Sequence, residues 1–120
     1  MYGPIVLDHF HHPRHVGEVS AATGHARLEN PVCGDVVEFW TRVVEDRLEE
    51  VGFRAFGCAA AIASASMLAE SVRGLPLTEI LALEAGDLVE ALGGLPASKT
   101  HGAALALETL TAALGGVVGS

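Results

Sequence analysis

The side chains best suited to chemistry in this chain are its two cysteines and the polar residues that could join them. Cys33 and Asp35 flank a single glycine, and Cys58 directly follows another. His101 is the only histidine in the second half of the chain. Thiolate, carboxylate and imidazole groups are ligands of borderline-soft transition metals. If the fold brings them together, they suffice for one tetrahedral ion or for the protein's share of a two-iron cluster.

Each of these side chains also has an ordinary structural interpretation. A buried cysteine is common and usually inert, and a solitary histidine is more often a surface or hydrogen-bonded residue. Asp35 could simply form a turn after Gly34, and no C-x-x-C pair is present. The spacing alone therefore leaves a shared metal site and unrelated roles both open. A disulfide between Cys33 and Cys58 is disfavoured, because the N-terminus shows no export signal.

The candidate ligands are expected at the ends of regular elements, where loops present side chains. Cys58 should lie between the end of a strand and the start of a helix, whose backbone N–H groups and dipole favour a thiolate. Cys33 and Asp35 are two residues apart in a loop that we expect to enter a strand, and in an extended stretch their side chains would face the same side. His101 is expected just before a helix.

Hydrophobic periodicity divides the chain into strands early and helices late. Polar residues alternate with β-branched and aromatic ones over 36–44 and 48–56, which predicts two strands joined by a turn at 46–47. A third, shorter strand is possible at 26–30. Helices are predicted at 4–12, 59–73, 78–83, 86–92 and 103–114, with Thr78 as a cap. The expected class is α+β, with a small antiparallel sheet packed against helices.

Composition is typical of a small globular protein. The 120 residues predict a single domain over 1–120, and half of them are hydrophobic. The net charge of −8 argues against a nucleic-acid partner, since phosphate binding needs clustered lysine and arginine. The longest uncharged run, 55–69, is too short to cross a bilayer, so no membrane partner is expected. With no leader visible, we expect a cytoplasmic location.

Several longer motifs resemble one known family. They are LDHF at 7–10 followed by PR and VG within 13–17, NPVCGD at 30–35, and FGCAAAIASAS at 56–66. Together they resemble the iron–sulfur cluster assembly scaffolds of the IscU and NifU N-terminal-domain type. The likeness runs over about 5–114. It implies a SufE/NifU-like α+β fold with a three-stranded antiparallel sheet.

The resemblance also implies a function and a set of ligands. Members of this family accept iron and sulfur, build a cluster such as [2Fe-2S], and pass it to apo iron–sulfur proteins; they are not turnover enzymes. A cysteine desulfurase supplies their sulfur as a persulfide. By the match, Cys33, Asp35, Cys58 and His101 fall on the family's ligand positions. No long insertion separates Cys58 from His101. In this spacing the chain resembles the housekeeping scaffolds more than their zinc-dependent SufU relatives.

Two positions depart from the family pattern. The family normally carries a third cysteine directly after the histidine, where this chain has Gly102. A glycine can neither bind a metal nor carry a persulfide. The segment 95–99 resembles the family's chaperone-recognition segment, but Ala97 and Ser98 replace its usual proline and valine. Docking of a specialised Hsp70-type chaperone is therefore doubtful.

Three functions stay open on these grounds. The first is a scaffold or carrier that binds iron and sulfur, or a [2Fe-2S] cluster, and transfers it. The second is a zinc-binding persulfide acceptor or regulatory paralogue that partners a cysteine desulfurase and lost cluster assembly with the third cysteine. The third is a degenerate fold that only binds other proteins. The donor set suits zinc as well as iron, so the residues do not decide which metal is bound.

Overall fold

The computed structural model describes residues 2–118, without the side chains of 116–118. Met1, Gly119 and Ser120, which the single-domain prediction includes, lie outside the described residues. The helices are α1 (Pro4–His11), α2 (Ala59–Val72), α3 (Leu77–Leu81), α4 (Ala85–Ala91) and α5 (His101–Val118), with a short 3-10 helix at Ala97–Lys99. The strands are β1 (Gly24–Asn30), β2 (Asp35–Val44) and β3 (Arg47–Phe56). The α+β class is confirmed.

The three strands form one antiparallel sheet in the order β1-β2-β3. At its centre, Val37 of β2 pairs with Leu28 of β1 and Ala55 of β3. The alternation that predicted the strands also sets their two faces. Phe39 and Phe53 are buried on one face, while polar residues of the same strands occupy the other.

Helices α2 and α5 cover the apolar face of the sheet and contact each other. Leu110 and Leu114 of α5 are fully buried, as their spacing predicted, and Leu107 is half-buried. Much of the buried surface of α2 is alanine and serine. Such small side chains let neighbouring backbones approach closely, a property that becomes important at the helix starts.

A buried polar cluster fastens α1 to α2. His9 is 3% exposed, and its Nδ1 lies 2.7 Å from the hydroxyl oxygen of Ser66. The same oxygen accepts the backbone N–H of Arg14 at 2.9 Å, while Glu70 lies 3.6 Å from His9 Nε2. Burial, followed by the nearby Arg14 charge, lowers the pKa of His9 and favours its neutral form. We call His9, Arg14, Ser66 and Glu70 the His9 anchor.

Several predicted boundaries move by a few residues. Arg47 begins β3 instead of lying in the turn, because the turn consists of Glu45 and Asp46 in left-handed conformations. Helix α3 begins at Leu77 with Pro76 as its N-cap, and no side chain caps it, so the prediction that Thr78 is the cap was wrong. The backbone of Pro76 is extended, with φ −66° and ψ 147°, and the first helical residue follows it. None of the described helices is long and apolar enough to span a membrane.

Candidate metal centre

Asp35 stands at the centre of the predicted site. It begins β2 and is 1% exposed. Its neighbour Val36 pairs with Phe56, so the sheet register places Asp35 beside the residues that follow β3. There its Oδ1 accepts the backbone N–H of Cys58 at 2.9 Å. A buried carboxylate is costly without such partners.

Gly57 makes this contact possible. Its φ is +130°, and a Cβ at this position would overlap the carboxylate of Asp35. Glycine is the residue that adopts such a conformation without a steric penalty. The role of Gly57 was not predicted from the sequence, although a glycine directly before Cys58 is a recognisable signal for a tight turn.

Cys58 is the N-cap of α2, between a strand end and a helix start as predicted. Its side chain is half-buried, and its thiol donates to Oδ2 of Asp35 at 3.6 Å. Cys58 therefore stands at the N-terminal end of α2, although its side chain makes no capping hydrogen bond to that helix. That end of a helix stabilises negative charge.

His101 reaches the same carboxylate from the other helix. It is the first residue of α5, instead of preceding the helix as predicted. Its Nε2 lies 3.1 Å from Oδ2 of Asp35 and must be the donor, since an ionised carboxylate only accepts. The side chain is 26% exposed, so His101 connects a buried carboxylate to the surface.

Cys33 completes the group from an exposed turn. Residues 31–34 form a turn that leads into β2, which confirms the predicted loop entering a strand. Gly34 has a φ of +75°, so the backbone between Cys33 and Asp35 is not extended. The turn is closed by a hydrogen bond from Gly34 N–H to the carbonyl of Asn30 at 2.7 Å, and the Asn30 side chain accepts the N–H of Val32 at 3.0 Å. This local bonding turns Cys33 back toward Asp35.

One donor atom each from Cys33, Asp35 and His101 lies within 4.8 Å of the other two. The Cys58 sulfur is not a member of this trio: it contacts Asp35 but does not lie within 4.8 Å of all the other donor atoms. The fold thus gathers Cys33, Asp35 and His101 into one group, and Cys58 lies beside that group on Asp35. Both cysteines are free thiols.

Comparison with known protein families matches residues 1–117 to the family described as the NifU-like N terminal domain. The chain belongs to this family. The membership inferred from the motifs is confirmed.

This NifU-like domain has close relatives among characterised proteins. It is 43% identical over 114 residues to the iron-sulfur cluster assembly scaffold protein IscU 1 of Archaeoglobus fulgidus, covering 95% of this chain and 74% of that protein. It is 46% identical over 115 residues to the iron-sulfur cluster assembly scaffold protein IscU of Aquifex aeolicus, covering 94% and 73%. The N-terminal part of a NifU-like protein from Brucella abortus has the same fold, with a TM-score of 0.79 at 15% identity over 98% of this chain and 94% of that one.

The N-terminal histidines do not build a second centre. Among the side chains that the structure describes, the trio of Cys33, Asp35 and His101 is the only group of three or more metal-binding residues with donor atoms this close. Helix α1 ends at His11, and His15 has a positive φ beyond Pro13. Chelation by His11 and His15 would need both residues on one continuous helix, which Pro13 interrupts.

Proposed function

We propose that this NifU-like domain is an iron–sulfur cluster assembly scaffold: it accepts iron and sulfur and passes the assembled cluster, of the [2Fe-2S] type, to apo-proteins. The observation that carries the proposal is the convergence of Cys58 and His101 on one buried carboxylate, with the Cys33 sulfur in the same group. Membership in the family and the names of its relatives support the same function.

The donors divide into a fixed part and an open part. Asp35 is buried and bonded to the residues at the starts of both α2 and α5, so it keeps Cys58 and His101 together while the site holds no cargo. Cys33 is exposed and stands on a turn. His101 also lines an open cavity of about 250 Å³, together with Glu29 and Glu108. Iron and sulfur can reach the exposed Cys33 and the partly exposed His101 from solvent.

The mixed donor set suits temporary binding. Two thiolates and an imidazole are good ligands for an iron–sulfur cluster, whereas a carboxylate is a harder and weaker partner. A cluster held in part by Asp35 should be labile, and lability serves a protein that must release its cargo. On this proposal, the partners are a cysteine desulfurase as sulfur donor and apo iron–sulfur proteins as recipients, in the cytoplasm, and the protein performs no turnover of its own.

Anaerobic reconstitution with ferrous iron and sulfide tests the scaffold function. The wild-type protein should develop visible absorption with stoichiometric iron and sulfide, and should convert an apo-ferredoxin to its holo form. The Cys58→Ser variant should hold little cluster, because a hydroxyl is a poor ligand for iron–sulfur chemistry. Asp46→Asn, at the exposed turn between β2 and β3, is the control and should behave as wild type. A colourless wild-type product without bound iron would contradict the proposal.

A second candidate is a zinc-binding sulfur acceptor, and Gly102 favours it. The remaining cluster has as many donors as a tetrahedral zinc site needs, and Cys33 is exposed. In this function the Cys33 thiolate would attack the outer sulfur of a desulfurase persulfide. A new S–S bond forms on Cys33, the donor S–S bond breaks, and the desulfurase thiolate leaves. Mass spectrometry after desulfurase treatment should then show one added sulfur, with zinc and no iron in the purified protein.

A further inference from the structure

Gly102 lies where the first turns of α2 and α5 meet. It is the second residue of α5 and is buried. A Cβ built on it would lie 3.0 Å from the backbone nitrogen of Ala61 and 3.1 Å from the carbonyl carbon of Ala60 and the Cα of Ala61. These contacts would be tighter than an ordinary van der Waals contact. They involve backbone atoms, so no side chain could rotate away to relieve them.

The same two helical turns carry half of the candidate ligands. Cys58 caps α2 directly before Ala59, and His101 directly precedes Gly102 in α5. Both bond to Asp35, Cys58 through its N–H at 2.9 Å and His101 through its ring at 3.1 Å. Any change in the separation of the two helix starts therefore acts directly on the distance between Cys58 and His101.

We infer that Gly102 is a positioning residue of the metal centre: by allowing backbone-to-backbone contact between α2 and α5, it sets the spacing of Cys58 and His101 across Asp35. The inference rests on the proposed function, because it assumes that these residues hold the cargo. A side chain at this position requires the helix starts to move apart by a few tenths of an ångström. Gly102 thus has a positioning role at this site, in addition to lacking the thiol that the family pattern places there.

Glycine weakens a helix relative to alanine, so its presence here has a cost in helix propensity. At an open helical position, replacing glycine with alanine should stabilise the protein. Gly115 is such a position: it lies in the same helix, and a Cβ there would meet nothing within 4 Å. Gly115→Ala is therefore the matched control for Gly102→Ala.

Cobalt(II) titration of wild type, Gly102→Ala and Gly115→Ala tests the inference. Co²⁺ reports thiolate ligation by a charge-transfer band and coordination geometry by its d–d bands. Gly102→Ala should bind Co²⁺ at least about tenfold more weakly than wild type. At saturating Co²⁺ its d–d bands should be shifted or weakened, which a change in overall stability alone would not produce. Gly115→Ala should match wild type in affinity and spectrum.

The possible outcomes separate this inference from the proposed function. If wild type and Gly102→Ala bind Co²⁺ with the same affinity and spectrum, the positioning role is wrong while the scaffold function stands. If wild type binds neither Co²⁺ nor a cluster, both are wrong. If Gly102→Ala does not fold, NMR of the wild type tests the inference instead. Cross-relaxation between the Gly102 Hα protons and the Ala61 amide proton would support the backbone contact between α2 and α5. A lack of this cross-relaxation would overturn the inference.

Discussion

The Asp35 cluster and the His9 anchor are two buried polar centres that differ in what surrounds them. Asp35 and His9 are almost equally inaccessible, at 1% and 3% exposure. His9 is held by Ser66, which is itself fully buried, and by the half-exposed carboxylate of Glu70. Asp35 is held by a half-buried thiol and a partly exposed imidazole, with the exposed Cys33 beside them.

The accessibility of the surrounding groups separates a structural polar cluster from a binding site in one small fold. In the His9 anchor, both ring nitrogens of His9 face side chains of α2, so the cluster joins one helix to another. Around Asp35, the partners are themselves metal-binding groups that reach the surface. A buried charge whose neighbours are accessible donors is poised to accept a cation.

Gly57→Ala should have the largest effect, because it damages the Asp35 cluster in two ways. The variant forces an unfavourable backbone conformation and drives a Cβ into the Asp35 carboxylate. Gly34→Ala is the control, since Gly34 has a φ of +75° but open space around its Cβ position. Gly34→Ala should lose about 1 kcal/mol of unfolding free energy, and Gly57→Ala at least about 2 kcal/mol more. Equal losses in chemical denaturation would show that Gly57 does not support Asp35.

His9→Ala should weaken the fold and spare the metal centre. The change leaves a cavity between α1 and α2 and removes the imidazole partner of the Ser66 hydroxyl. We expect a loss of about 2 kcal/mol or more in unfolding free energy. His12→Ala, at an exposed position just after α1, should lose less than about 0.5 kcal/mol. Co²⁺ affinity measured on the folded His9→Ala protein should equal that of wild type. A large decrease in this affinity would show that the His9 anchor and the metal centre are not independent.

Asp35→Asn should weaken metal binding and largely spare the stability of the fold. Asparagine keeps an acceptor for the Cys58 N–H, but its NH2 group replaces the oxygen that faces His101 and the Cys58 thiol. His101 can accept from this group in its other tautomer, so the apo-protein should lose no more than about 1 kcal/mol of unfolding free energy. Metal affinity should fall by about 10- to 100-fold, as is usual when a supporting group of a metal site is lost. Isothermal titration with Zn²⁺ measures the change, and Asp46→Asn is the control at an exposed turn. An unchanged affinity would remove Asp35 from the site.

The smallest effect is a pH dependence that belongs to the His9 anchor. Burial and Arg14 lower the pKa of His9, so the native state resists a proton that the unfolded chain accepts near pH 6.5. Stability should therefore fall as the pH decreases below about 6.5, by at most about 1.4 kcal/mol per pH unit, until the native pKa is passed. Denaturation curves between pH 7.5 and 5 should show this slope in wild type, and a shallower slope in His9→Ala. Equal slopes would contradict the assignment.

The sequence predicted the elements well where the pattern is local. The alternation in β2 and β3, the apolar spacing in α5 and the position of Cys58 at a strand–helix junction all follow from short-range periodicity. It did not reveal the tight turn at Cys33, and it was wrong for the cap of α3. In the first case, the hydrogen bonds made by Asn30 decide the turn; in the second, Pro76 is the N-cap, so the helix begins one residue before Thr78.

The donor side chains, the order of strands and helices, and the family could all be predicted from the sequence, as could the missing thiol at Gly102. The sequence did not reveal that one buried carboxylate joins both helix starts, or that Gly57 and Gly102 supply the space for it. These contacts span residues far apart in the chain. Periodicity reports the environment along one element, whereas the spacing between elements depends on how closely their backbones pack.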